Sequence, residues 1–221
     1  MYSFAQREDT KVVDEPFYAY YLVKSGVDHP GREEIIQHMP SKIDEIIDQV
    51  KILEKKHKYV FLKNMAHHLI EINRDFLLHY KNIFLIRDPR ELIHSFAKVI
   101  PKPNMSDIGC RQQFELFKFL NGYHDCPVID SNSVLEDPEY GLKKLCIAIN
   151  IPFDKKMVSW EKGPLSEDGV WSKYWYKNLH RSTGFTKKLK KENIELSPGN
   201  FFLYQEALPY YQSMKKNNIL S

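Results

Sequence analysis

The chain has 221 residues, 43% hydrophobic and 13% aromatic, enough for a full packed core and unlike a disordered segment. With 32 Lys and Arg against 29 Asp and Glu, the net charge of +3 is too mild to argue for a nucleic-acid partner, though it suits a small anionic ligand. The three cysteines, Cys110, Cys126 and Cys146, are odd in number and far apart, which excludes a disulfide framework or zinc knuckle and predicts a reducing compartment. No apolar run approaches the roughly 20 residues of a membrane span and no signal peptide opens the chain, so one cytoplasmic domain over residues 1–221 is expected.

In chain order, short apolar runs alternate with longer amphipathic segments. Lys11–Val13 is strand-like and runs into Asp14, Glu15 and Pro16; a helix is predicted over 41–56. Tyr59–Leu62 is the second strand, closed by Lys63, with His67 four residues on and a helix expected over 66–80. Ile83–Ile86 is the third strand, followed by helices over 89–100 and 107–122. Pro127–Asp130 is the fourth strand, followed by a helix over 137–149. Residues 160–186, rich in Trp, Tyr, Gly and Ser with little periodicity, read as a long ordered loop. A last helix at 201–216 carries Phe202, Leu203, Ala207 and Tyr210 on one side. Short apolar strands separated by helices predict an α/β fold of three layers around a parallel sheet, with every carboxyl end on the ligand-binding edge.

The stretch Ile83–Phe96 is the most informative. Asp88 can cap a helix, Pro89 fits its first position and Glu91 would close a capping box. Leu92, Phe96 and Val99 form the expected buried stripe, with Ser95 bordering it in a half-buried groove. Arg87 then stands at the switch from strand to helix. It serves either as half of an ion pair with a carboxylate or, with the Ser95 hydroxyl, as a phosphate clamp, because a guanidinium offers paired donors to an oxyanion.

Arg87, Pro89 and Ser95 resemble, position for position, the 3′-phosphate-binding motif of sulfotransferases that use 3′-phosphoadenosine 5′-phosphosulfate (PAPS). Asp14-Glu15-Pro16 is similar to that family's Glu-Pro element. Leu135–Glu139, with Asn150–Phe153, resembles its segment after the fourth strand. Trp160–Pro164, Asp168–Trp171 and Ser182–Phe185 look like the carboxyl-terminal loop of a bacterial sulfotransferase-like subgroup. The resemblance implies a sulfotransferase fold of the P-loop NTPase type. It also implies sulfuryl transfer from PAPS to a hydroxyl of a small-molecule or carbohydrate acceptor.

Carried over residue by residue, the resemblance makes His67 the general base, with Glu15 as rival, and Lys63 the stabiliser of sulfate or leaving oxygen. The bland reading of His67 is a satisfied turn histidine, and that of Glu15 a cap or ion pair. Trp171, Trp175 and Tyr176 would stack on flat groups of the substrate while Arg181 and Ser182 meet phosphate, or the loop merely covers the sheet. Lys187–Lys191 reads as a solvated face, or else steers an anionic nucleotide. Nine histidines without H-E-x-x-H or paired-cysteine spacing imply no metal. The family's first strand and its loop for the 5′-phosphosulfate are not found, and Met1–Arg7 resembles the end of the helix that follows that loop. Two expectations compete: a chain that truly starts upstream, or an inactive sulfotransferase-like domain kept for binding or scaffolding. A nucleotide kinase or hydrolase is disfavoured, because no G-x-x-x-x-G-K-[ST] occurs.

Overall fold

A computed structural model describes residues 1–100, 102–186 and 194–221. The basic run 187–191 lies outside the described residues. The chain divides into two compact units, one made of 1–72 with 154–185 and the other of 73–153 with 186–221. The α/β class with parallel strands is what the chain adopts. β1 (Thr10–Asp14) pairs in parallel with β2 (Tyr59–Lys63) in the first unit, and β3 (Phe84–Ile86) with β4 (Val128–Asp130) in the second. All four strands lie on the four expected runs, to within a residue at either end. Each unit thus holds one two-stranded parallel ladder.

In the first unit the register sets Asp14 opposite Lys63, so both strands finish level at their carboxyl ends. A parallel pair needs a long crossover, and the helices Tyr18–Ser25, Arg32–His38 and Ile43–Glu54 supply it. Ile46 and Val50, one turn apart, are the buried side of the third. Tyr18, Ala19, Tyr21, Leu22, Ile35 and Trp171 form one core cluster.

In the second unit the helix Pro89–Phe96 follows β3 directly. Asp88 accepts a 2.8 Å hydrogen bond from the Arg90 N–H and Pro89 takes the first helical position, as the sequence indicates. Glu91 does not close a capping box; its carboxylate takes the side chains of Arg87 and Asn132 instead. The helix stops at Phe96, short of residue 100, and its fully buried residues are Pro89 and Ile93. Leu92, Phe96 and Val99 are only half-buried, and Ser95 is exposed rather than set in a half-buried groove.

Two expected helices are broken, each for a local reason. The segment 107–122 divides at Gly109, whose left-handed backbone (φ 66°) is open to glycine at no steric cost. It gives the helices Met105–Ile108, started by an Asn104–Asp107 capping box, and Cys110–Asn121. The segment 66–80 holds no α-helix, only the 3₁₀ turns Ala66–His68 and Asp75–His79. Between them Glu71 is left-handed (φ 51°) and the Asn73 side chain accepts from the Asp75 N–H, a local bond that competes with helix continuation. The expected helix at 137–149 is Pro138–Ala148, preceded by Ser131–Glu136. The last helix, Pro198–Lys215, buries Leu203, Ala207, Tyr211 and Met214. Phe202, expected on that side, is exposed.

Ile93 packs against Ile108, Cys110, Leu203 and Ala207 and is wholly buried. Ile93→Ala is expected to lower the unfolding free energy in urea by about 2–5 kcal/mol. Phe202→Ser on the exposed face is expected to change it by less than about 0.5 kcal/mol.

Candidate functional site

The level finish of β1 and β2 brings together a lysine and two carboxylates. The Glu15 N–H donates to the Lys63 carbonyl at 2.7 Å, extending the ladder by one residue. The Lys63 ammonium pairs with Glu15 Oε1 and stands 3.5 Å from Asp14 Oδ1. It also donates to the Tyr176 hydroxyl at 2.8 Å, and that hydroxyl donates to Asp14 at 2.9 Å. Glu15 is held left-handed (φ 44°) although Pro16 follows, a conformation that costs about 1–3 kcal/mol and persists only where surrounding contacts enforce it. Burial pushes the Glu15 carboxyl up, Lys63 opposes that shift, and the Asp14 charge adds to it. For Lys63 burial pulls down, but the two carboxylates outweigh it and the ammonium is held above its ordinary value. Its side chain as a whole is 28% exposed.

A layer of aromatic and imidazole rings lies behind this cluster. His68 is stacked between Tyr18 (4.6 Å) and Tyr21 (4.7 Å), its Nδ1 3.8 Å from Glu15 Oε2. Tyr18 hydrogen-bonds His29 Nδ1 at 2.9 Å. His67 meets Tyr21 and His68 edge-on and is only 4% exposed. Burial, then the neighbouring His29 and Lys63, push its pKa down to about 3, so its ring is neutral at ordinary pH. Burial and the same kind of neighbours hold His68 well below the usual imidazole range.

The loop 160–186 is ordered as expected, with the short helix Ser172–Trp175 and the turn Leu179–Arg181 inside it. Trp160 N–H donates to the Thr183 carbonyl, and its indole N–H to the Ser182 hydroxyl at 3.1 Å. The Ser182 hydroxyl in turn donates to the Leu179 carbonyl, so it holds the loop's own shape. Arg181 beside it is exposed. Trp171 is a core residue, and Trp175 is half-buried with its ring edge-on to His29. Of the three aromatic residues singled out, Tyr176 joins the charged cluster, through its hydroxyl and through its ring, whose centroid lies 5.2 Å from the Lys63 ammonium.

In the second unit Arg87 stands at the carboxyl tip of β3 with its side chain 40% exposed. Among the described residues its one polar partner is Glu91, at a long 3.5 Å, which leaves guanidinium donors for an anion. Ser95 lies on the helix that starts beside it. The exposed guanidinium at the strand–helix junction can meet an anion, which a tight, buried carboxylate pair could not; Ser95 lies near the far end of the helix.

Sequence reasoning passed over Asp14, although the quoted Asp14-Glu15-Pro16 contains it. It also passed over a second arrangement in the loop. Asp168 Oδ2 accepts from the Tyr2 hydroxyl at 2.5 Å, from the Leu165 N–H at 3.1 Å and from His180 Nε2 at 2.9 Å. The next residue, Gly169, donates its N–H to Asp14 Oδ2. The His180 ring meets the Tyr176 ring edge-on. Tyr2 and His180 lie far apart in sequence and no spacing pattern joins them; the flag was the Asp168-Gly169 pair inside the aromatic loop.

The family profile of the sulfotransferase domain matches residues 1–218. Two Arabidopsis thaliana proteins, branched-chain-amino-acid aminotransferase-like proteins 1 and 2, are 35% and 33% identical to the chain over 98% and 100% of its length. The chain spans 39% and 40% of those proteins, about two-fifths of their length. Among solved structures, a sulfotransferase domain from the curacin biosynthetic pathway aligns over 85% of this chain and 76% of its own, with TM-score 0.48 and 14% identity. One from the Synechococcus PCC 7002 olefin synthase aligns over 85% and 73%, with TM-score 0.47 and 14% identity.

The buried imidazole gives a pH test. The folded pKa of His67, about 3, lies below its unfolded value of 6.5, so between the two the unfolded chain binds more protons. Stability is therefore expected to fall as pH drops below 6.5, by about 1.4 kcal/mol per pH unit from His67 alone. Urea unfolding at stepped pH should show that slope, reduced by the same amount in His67→Asn. An unchanged slope would contradict the burial.

Proposed function

Because the chain belongs to the sulfotransferase domain family, we propose that it transfers the sulfuryl group of PAPS to a hydroxyl of a small-molecule or carbohydrate acceptor. The observation that carries this is the Lys63 ammonium, held by Glu15, Asp14 and Tyr176 at the carboxyl ends of two parallel strands. Ligands of open parallel sheets sit at those ends. Sulfuryl transfer asks of a protein mainly that it position the acceptor and oppose charge on the oxygens around sulfur, as phosphoryl transfer does.

PAPS, when bound, supplies the activated sulfuryl group. Lys63 meets the negative charge on the sulfuryl or leaving oxygen, a role for which a compact ammonium is suited. Glu15 and Asp14 keep that ammonium charged and in place. Arg87, with Ser95, holds the 3′-phosphate, and Arg181 adds positive charge beside the Ser182 turn. The role of proton acceptor passes by family resemblance to His67, with Glu15 as its rival; both stand in the layer around Lys63. Tyr176, its hydroxyl on Lys63, bounds the acceptor side, with Trp171 and Trp175 packed behind it as support.

A binding-only role draws on one observation: Lys63 and Glu15 satisfy each other in the resting chain. Turnover of labelled PAPS over a panel of hydroxyl acceptors separates the two roles, since a binding-only domain yields no sulfated product. Arg87→Ala is expected to weaken adenosine 3′,5′-bisphosphate binding about 10- to 100-fold by calorimetry, the worth of a charge-assisted hydrogen-bond pair. Unaffected binding would remove Arg87 from the site.

A further inference from the structure

A proton acceptor has to meet the acceptor hydroxyl, within about 3 Å at the moment of transfer. His67 is enclosed by Tyr21 and His68, and the Glu15 carboxylate is taken by Lys63. His180 differs from both. Its side chain is 22% exposed, and its Nε2 sits 2.9 Å from the buried Asp168. The same Asp168 oxygen already accepts from the Tyr2 hydroxyl and the Leu165 N–H, so the carboxylate is fixed by the chain before the histidine meets it. A carboxylate oxygen accepts, so Nε2 must carry the proton and the lone pair of the neutral ring is left on Nδ1. A carboxylate that sets one ring nitrogen as donor and leaves the other basic is the arrangement of acid–base dyads on many folds.

The dyad is also tied to the lysine cluster at two points. Gly169, directly after Asp168, bonds Asp14, and the His180 ring lies 6.1 Å, edge-on, from the ring of Tyr176, whose hydroxyl touches Lys63 and Asp14. The peptide N–H of His180 donates to the Tyr176 carbonyl at 2.8 Å, fixing the turn that carries both.

We propose that His180, oriented by Asp168, is the catalytic base of the site. In the step, the acceptor O–H bond breaks and its proton goes to His180 Nδ1, while the acceptor oxygen forms the new bond to sulfur. The bond from sulfur to the donor's phosphate oxygen breaks, and its electron pair leaves on that oxygen. This rests on the sulfuryl-transfer reading above and reassigns one role within it.

The test has two arms. In the ligand-free chain, ¹⁵N couplings of the histidine rings are expected to put the His180 proton on Nε2; a proton on Nδ1 overturns the proposal. In the second arm, labelled PAPS is turned over with an aliphatic alcohol and with p-nitrophenol, which ionises near neutrality and needs no base. His180→Ala is expected to lose at least about 100-fold with the alcohol, to lose far less with p-nitrophenol, and to regain activity when imidazole is added. Adenosine 3′,5′-bisphosphate binding should be unchanged. An equal loss with both acceptors marks a structural role and overturns the assignment, as does unaltered turnover of the alcohol. No turnover of either acceptor by the unsubstituted chain contradicts the sulfuryl-transfer reading itself.

Discussion

Two parallel strands that end level can place opposite charges side by side without any loop to guide them, and that constraint organises the first unit. Asp14 lies opposite Lys63 in the β1–β2 register, and the Glu15 N–H continues the ladder onto the Lys63 carbonyl. The ladder therefore fixes the backbone of all three residues before their side chains interact. The ion pair that follows is partly buried, where removing one partner strands a charge and costs about 3–5 kcal/mol. Glu15 is left-handed in front of a proline and stays so because its N–H, carbonyl and carboxylate are all engaged, by Lys63 and the Tyr18 N–H. Strain at such a point accords with a functional site more than with a packing role.

The aromatic loop acts on this cluster from the other side. Trp171 anchors it in the core, Gly169 bonds Asp14, and Tyr176 brings its hydroxyl between Lys63 and Asp14. Burial and the neighbouring carboxylates hold the Tyr176 phenol well above its ordinary range, so it stays a hydrogen-bond donor. The second unit repeats the theme with other residues. β3 delivers Arg87 at its tip, and β4 delivers the fully buried Asp130, which caps the next helix and accepts from Tyr211.

Much of this was legible in the residue order because strands are local. Four short apolar runs gave four strands, and Arg87, Lys63 and Glu15 were placed at strand tips from those runs alone. Helix extents were less legible where a single residue turned left-handed. Glu71 is one such break, and no helix propensity marks it, since Glu is a good helix former. Gly109 was readable in principle as a stop. The half-buried setting expected for Ser95 failed because the helix turns Ile93, not Leu92 and Phe96, fully inward. The Asp168–His180 pair was illegible: its members stand 12 residues apart in an irregular loop, and tertiary folding alone joins them.

The account stands on ligand chemistry at the carboxyl tips of parallel strands, and a crystal structure of the chain with adenosine 3′,5′-bisphosphate tests it most directly. The result it predicts is a 3′-phosphate oxygen about 2.7–3.0 Å from the Arg87 guanidinium, with the Ser95 hydroxyl bonded to the same phosphate. A nucleotide bound away from every strand tip, with Arg87 still resting on Glu91, would contradict it.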